Sequence, residues 1–223
     1  AFEAKVKDIY IRAAKEIGDI PLEVANDGDV TALAGAMELN ANGVLGIAMG
    51  TSEAGGFVDG EGNITGWLNE LAFVPVDLNP EAMIDEWSGD IGCGVKYFSQ
   101  DCVIKLAPAA GIELDKNATP AEKLKVVQKL MLENDDRARG IYESIGCYLA
   151  NGLALYSEFY DFKHVLLMGR VVSGEGGNII HAEAKRILDE EYPELAAKIS
   201  LHLPDEKSRR VGQSVAAASL PKA

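Results

Sequence analysis

The stretch Gly43-Val44-Leu45-Gly46-Ile47-Ala48-Met49-Gly50-Thr51-Ser52-Glu53-Ala54-Gly55-Gly56-Phe57-Val58-Asp59-Gly60-Glu61-Gly62 leaves the chain few choices. An apolar run stops abruptly at Gly50-Thr51-Ser52. A glycine pair and a second short apolar run follow, then an Asp-Gly turn signal. The pattern predicts strand, tight turn, strand, turn and strand, with the third strand ending near Ile64. Glycine permits positive φ and close backbone approach. A turn with several free N–H groups beside Thr51 and Ser52 hydroxyls can hold an anion such as phosphate. An ordinary glycine-rich hairpin would read the same way.

Composition narrows the classes. The 223 residues are 48% hydrophobic and 25% charged, which suits a soluble globular protein. A formal net charge of -14 argues against nucleic acid or an anionic membrane as main partner. No run reaches the roughly 18 apolar residues of a membrane span, and no secretory signal is visible, so a cytoplasmic location is expected. Cys93, Cys102 and Cys147 form no Cys-x-x-Cys pair, which speaks against a disulfide framework and a four-ligand zinc site.

Along the chain, apolar spacing predicts an amphipathic helix over 2–17 and a short strand over 20–25. That strand runs into Asn26-Asp27 and a helix to Leu39. Ligands of α/β proteins collect at such carboxyl ends of strands, although Asp27 equally suits a helix N-cap. Residues 66–78 read as a loop ending in a strand, and Asn79-Pro80-Glu81 as a helix start. A helix is expected from near Gly92 to Leu106. Thr119-Pro120-Ala121-Glu122 is a capping box that starts another, to about Leu132. The longest helix is expected over 135–160, followed by a strand at 164–168 that closes on Gly169-Arg170. A helix over 178–191, a strand over 199–203 and a helix over 211–220 complete an α/β chain with a mixed sheet flanked by helices. His164, His181 and His202 lack ligand spacing and read as structural or surface groups. Trp67, near Glu70, could stack on a sugar or pack under a loop.

The order of these motifs resembles the carboxyl-terminal lobe of ROK-family sugar kinases and related repressors, within the actin-like, ribonuclease H-like ATPase superfamily. The likeness is carried by residues 20–27, Gly50-Thr51-Ser52, Asp59-Gly60, Asn69-Glu70-Leu71-Ala72-Phe73, residues 89–99 and Val165-Leu166-Leu167-Met168-Gly169-Arg170. It implies that Asp27 is a general base toward a sugar hydroxyl, with Asn26, Asn69 and Glu70 on the sugar. It implies that Gly50, Thr51 and Ser52 hold phosphates of ATP with Mg²⁺, and that Gly169, Arg170 and Val171 meet the nucleotide. It further implies that an amino-terminal lobe lies outside these residues, that residues 1–223 form a single lobe, and that a homodimer is possible.

Departures from the family pattern point the other way. Phe73 stands where the family has a sugar- and zinc-binding His, and Val95 where it has a sugar-binding Glu. Of the family's cysteine cluster only Cys93 remains, so zinc is not expected. Arg170 replaces a Gly and would either add a phosphate donor or block the nucleotide. Two functions follow: an ATP-dependent sugar kinase lobe, or a sugar-binding regulatory module without turnover.

Overall fold

A computed structural model describes residues 2–203 and 206–220. The glycine-rich stretch folds into an antiparallel hairpin of β1 (Val44–Met49) and β2 (Glu53–Val58), in register from Val44↔Val58 to Met49↔Glu53. β3 (His164–Met168) runs parallel to β1, and β4 (Ser200–His202) parallel to β3, giving the order β2-β1-β3-β4. The expected mixed sheet is present, but the third strand of the meander is reduced to one bridge, Val58↔Ile64.

Side-chain alternation sends the two faces of this sheet into two cores. Leu45, Ile47, Met49, Phe57, Val165 and Leu167 face the larger core. It is closed by α4 (Gln100–Ala109), α5 (Pro120–Leu132), α6 (Asp136–Tyr156) and α7 (Glu175–Glu191). Val44, Val58, Leu166 and Met168 face a smaller core with Ala32 and Ala36 of α3 (Asp27–Leu39). α9 (Glu206–Ser219) packs on α3, and Gln213 donates to the Thr31 hydroxyl at 2.7 Å. The short α8 (Pro193–Ala196) follows α7.

Several boundaries differ from expectation. The first helix is split into α1 (Phe2–Lys5) and α2 (Ile9–Ile17), because Asp8 adopts φ 57°. Residues 20–25 form no strand: a strand needs a neighbour for its N–H and C=O groups, and no described residue pairs with them. Residues 74–78 contribute only the bridge Pro75↔Cys93, and Asn79-Pro80-Glu81 makes a turn whose Asn79 side chain accepts from the Glu81 amide at 2.9 Å. The helix expected from Gly92 is a 3₁₀ turn, Gly94–Lys96, before α4 starts behind its N-cap Ser99. α6 ends at Tyr156, α7 begins at Glu175, and α9 begins before the expected 211. The capping box forms as expected: Thr119 and Glu122 cap each other at α5.

Candidate active site

Three bends gather at one end of the sheet. β1 and β3 are parallel neighbours, so their carboxyl ends lie side by side and the turns after them must touch. Gly169 takes φ 100°, and a Cβ there would collide with the Met49 backbone, so glycine alone suits the position. The Val171 amide donates to the Met49 carbonyl at 3.1 Å. The Gly50 carbonyl accepts from the Gln100 amide at 2.9 Å, anchoring the Gly50-Thr51-Ser52 turn on the start of α4. Gln128 of α5 donates to the Arg170 carbonyl at 2.9 Å, which fixes the second turn.

The third bend reaches the hairpin through close backbone contact. A Cβ on Gly28 would meet the Gly55 carbonyl, and one on Gly56 would meet the Gly28 carbonyl. The first turn of α3 thus lies directly on β2, about 10 Å along that strand from the Gly50–Ser52 turn at roughly 3.3 Å per residue. Asn26 is the N-cap of α3, its side chain accepting from the Gly28 amide at 2.8 Å. Asp27 is the first helical residue, and its exposed carboxylate has no hydrogen-bond or ion-pair partner among the described residues. The cap is therefore Asn26, which leaves Asp27 free for other contacts.

The remaining residues singled out from sequence fall into two groups. Thr51, Ser52, Glu70 and Arg170 are exposed, and the Arg170 guanidinium makes no bond within the described residues. Asn69 and Val171 are buried. The Asn69 amide donates to Asp29 at 2.7 Å and its oxygen accepts from the Tyr160 hydroxyl at 3.1 Å, so both ends of this side chain are engaged. Val171 contributes packing and a backbone bond. Phe73 lies against Trp87, with ring centroids 5.8 Å apart.

Two polar features escaped the sequence reading. Asp29 is buried beside the outer edge of β2. It accepts from the Phe57 amide at 3.3 Å as well as from Asn69, and so ties α3, β2 and the 66–73 loop together. Burial raises its carboxyl above the usual range, while the Phe57 and Asn69 bonds act against that rise. Its spacing two residues after Asp27 was the only available signal; Tyr160, remote in sequence, offered none. Glu53 is fully enclosed, neither carboxyl oxygen has a partner, and burial pushes its pKa up to about 8. Among the described residues no group of three His, Cys, Asp or Glu side chains is placed to hold a metal ion. No helix there is long and apolar enough to cross a membrane.

No model of a known protein family matches the sequence, and no curated protein does so significantly. Solved structures do. A ROK family glucokinase from Streptomyces griseus, determined with glucose and AMPPNP, superposes with a TM-score of 0.70 at 20% identity, over 93% of this chain and 71% of that one. The fold is that of the ROK proteins. A ROK hexokinase from Thermus thermophilus gives a TM-score of 0.69 at 19% identity over 93% and 68% of the two chains. A ROK family transcriptional regulator, a homolog of the E. coli MLC protein, gives 0.72 at 16% identity over 93% and 54%. The fold of this chain, an α/β arrangement with a mixed sheet flanked by helices, is thus shared by ROK kinases and a ROK regulator.

Proposed function

We propose that the chain is the carboxyl-terminal lobe of an ATP-dependent kinase that phosphorylates a hydroxyl of a sugar or sugar-like alcohol. The observation that supports it best is the gathering of the Asn26-Asp27, Gly50–Ser52 and Gly169–Val171 bends along one end of the sheet, through the Gly28–Gly55 and Gly169–Met49 contacts. In this reading Asp27 takes the proton of the attacking hydroxyl, and Asn26 and Glu70 orient the sugar. Asn69 holds the loop that presents Glu70. The Gly50–Ser52 turn and Arg170 meet the phosphates. ATP, when bound, supplies the phosphoryl group. Mg²⁺, bound with the nucleotide, would offset the phosphate charge beside the Gly50–Ser52 turn.

The reading includes a second lobe. Asp27, Thr51 and Arg170 lie on open surface, and phosphoryl transfer needs water excluded. Phe2, Val6, Ile9, Tyr10 and Ile17 of the amino-terminal segment are exposed, as are Ile20, Leu22 and Val24 beside them. A lobe covering them would pair residues 20–25 as a strand and face the bends. A homodimer is the other occupant of such a surface.

The test is full-length protein with ATP, Mg²⁺ and a carbohydrate panel. Asp27→Asn is expected to lower kcat by about 10²-fold or more, the scale of a positioned general base, with KM little changed. Phosphorylation at full rate by the variant would remove Asp27 from the chemistry. A regulatory module is the second reading, favoured by Phe73, Val95 and the regulator's similar fold. It predicts sugar binding with no ATP turnover.

A further inference from the structure

Asp27 and Glu70 stand on different elements, and neither side chain bonds anything among the described residues. Their separation is set by whatever joins the first turn of α3 to the loop that carries Glu70. Packing between the two does not set it. A Cβ on Gly56 would run into the Gly28 backbone, whereas one on Gly55 would meet the Leu71 side chain and the Asn69 carbonyl. Successive residues of a strand face opposite sides. The first turn of α3 and the 69–71 segment therefore lie on opposite faces of β2 at one point along it, and they meet only around its outer edge.

Asp29 makes that connection. It is 4% exposed, and one carboxylate oxygen, Oδ1, accepts both from the Phe57 amide at 3.3 Å and from the Asn69 side-chain amide at 2.7 Å. The second is the one hydrogen bond between α3 and residues 66–73 among the described residues. Asn69 is held as firmly on its other sides. It takes φ 51°, the left-handed region that Asn tolerates better than most residues. Its side-chain oxygen accepts from the Tyr160 hydroxyl at 3.1 Å, and its carbonyl from the Leu71 amide at 2.9 Å. Glu70 follows directly, and its own carbonyl accepts from the Phe73 amide at 3.2 Å. The Glu70 backbone is thus fixed on both sides, and the fixing runs back to a residue two positions beyond Asp27. An ionised acceptor makes such a bond stronger than a neutral one does.

We propose that Asp29 is a positioning residue for phosphoryl transfer: through Asn69 it holds Asp27 and Glu70 at the separation at which a sugar gripped by Glu70 presents its hydroxyl to Asp27. This rests on the kinase reading of those two carboxylates. The test is steady-state kinetics of full-length protein with ATP, Mg²⁺ and the best sugar of the panel. Asp29→Ala and Asn69→Ala should each lower kcat/KM for the sugar by about 10²-fold, the cost of a misplacement of about 1 Å. KM for ATP should stay within about twofold of the parent, because the Gly50–Ser52 and Gly169–Val171 turns are held by Met49, Gln100 and Gln128 instead. The double alanine variant should lose no more than either single one, since both remove the same brace. Asp29→Asn/Asn69→Asp exchanges amide and carboxylate, keeping a donor–acceptor pair across the gap and an acceptor each for Phe57 and Tyr160. It should recover at least about tenfold of the loss. Unchanged sugar kinetics in Asp29→Ala, equal losses toward ATP and sugar, or losses that multiply in the double variant overturn the positioning role and leave the kinase reading standing. Where alanine costs the fold, Asp29→Asn is compared with the exchange variant, and equal sugar kcat/KM in the two overturns the role. A parent protein that phosphorylates no sugar removes the kinase reading, and this inference with it.

Discussion

Glu53 offers the sharpest test of how this fold is held together. It opens β2 immediately after the Gly50–Ser52 turn, and its side chain enters the larger core between the Leu71 carbonyl and Gly94. No donor reaches either oxygen, so burial alone drives the pKa from 4.5 to about 8. At about 1.4 kcal/mol per tenfold change in proton affinity, that gap costs the folded state about 5 kcal/mol once the carboxyl is fully ionised. The sign follows from proton counting. The native state binds this proton more tightly than the unfolded chain, so stability is greatest below pH 4.5 for this group and is lost as pH rises through 4.5 to about 8. At pH 7 the loss is already about 3 kcal/mol. Glu53→Gln keeps the shape and removes the titration. Urea unfolding followed by circular dichroism at half-unit steps from pH 4.5 to 9 should show the variant gaining on the parent steadily, by about 5 kcal/mol across the range. The remaining ionisable groups cancel in the difference. A difference that stays constant with pH would refute the reasoning, since it would mean that Glu53 is ionised or solvated in the folded state.

Other outcomes follow from single contacts. Lys96 is buried and bonds Asp85 at 3.0 Å, Glu86 at 2.8 Å and Asp101 at 2.7 Å, while the Ser88 amide and Lys96 hold the Asp85 carboxyl down at about 2. Lys96→Met should destabilise by about 2–3 kcal/mol in urea unfolding, less than a fully enclosed pair because Glu86 is largely in water, and adding Asp85→Asn should recover part of it. Gly56→Ala would drive a methyl into the Gly28 carbonyl; about 1–3 kcal/mol of stability should be lost, and sugar binding should weaken as the first turn of α3 lifts. His164 and His202 bond each other at 3.0 Å, and burial followed by the neighbouring His164 and His181 lowers the His202 pKa below 6.5. The folded state resists the second proton, so stability should fall as pH drops below about 6.5, and His164→Gln should flatten that fall when thermal midpoints are compared.

Much of the fold was legible because its signals are local. The β1–β2 hairpin, β3 and the capped α5 follow from alternation, glycine placement and one capping box, which neighbouring residues decide among themselves. The errors fell where structure depends on a distant partner. Residues 20–25 have the alternation of a strand and nothing described to pair with. Residues 74–94 form bridges and turns, pinned where Lys96 meets Asp85, Glu86 and Asp101 rather than by any periodicity.

The site divides along the same line. The sequence alone placed Asn26-Asp27, Gly50-Thr51-Ser52 and Gly169-Arg170 at the ends of secondary structure, because glycine and capping residues announce a bend wherever it occurs. Only the tertiary structure set those bends beside one another, through the parallel register of β1 with β3 and the bare Gly28–Gly56 contact. It also decided that Asn69 faces inward to Asp29 and Tyr160, and that Trp67 stands open above Phe57. Those outcomes depend on residues up to 91 positions apart in the chain meeting across the fold, and no local pattern encodes such a meeting.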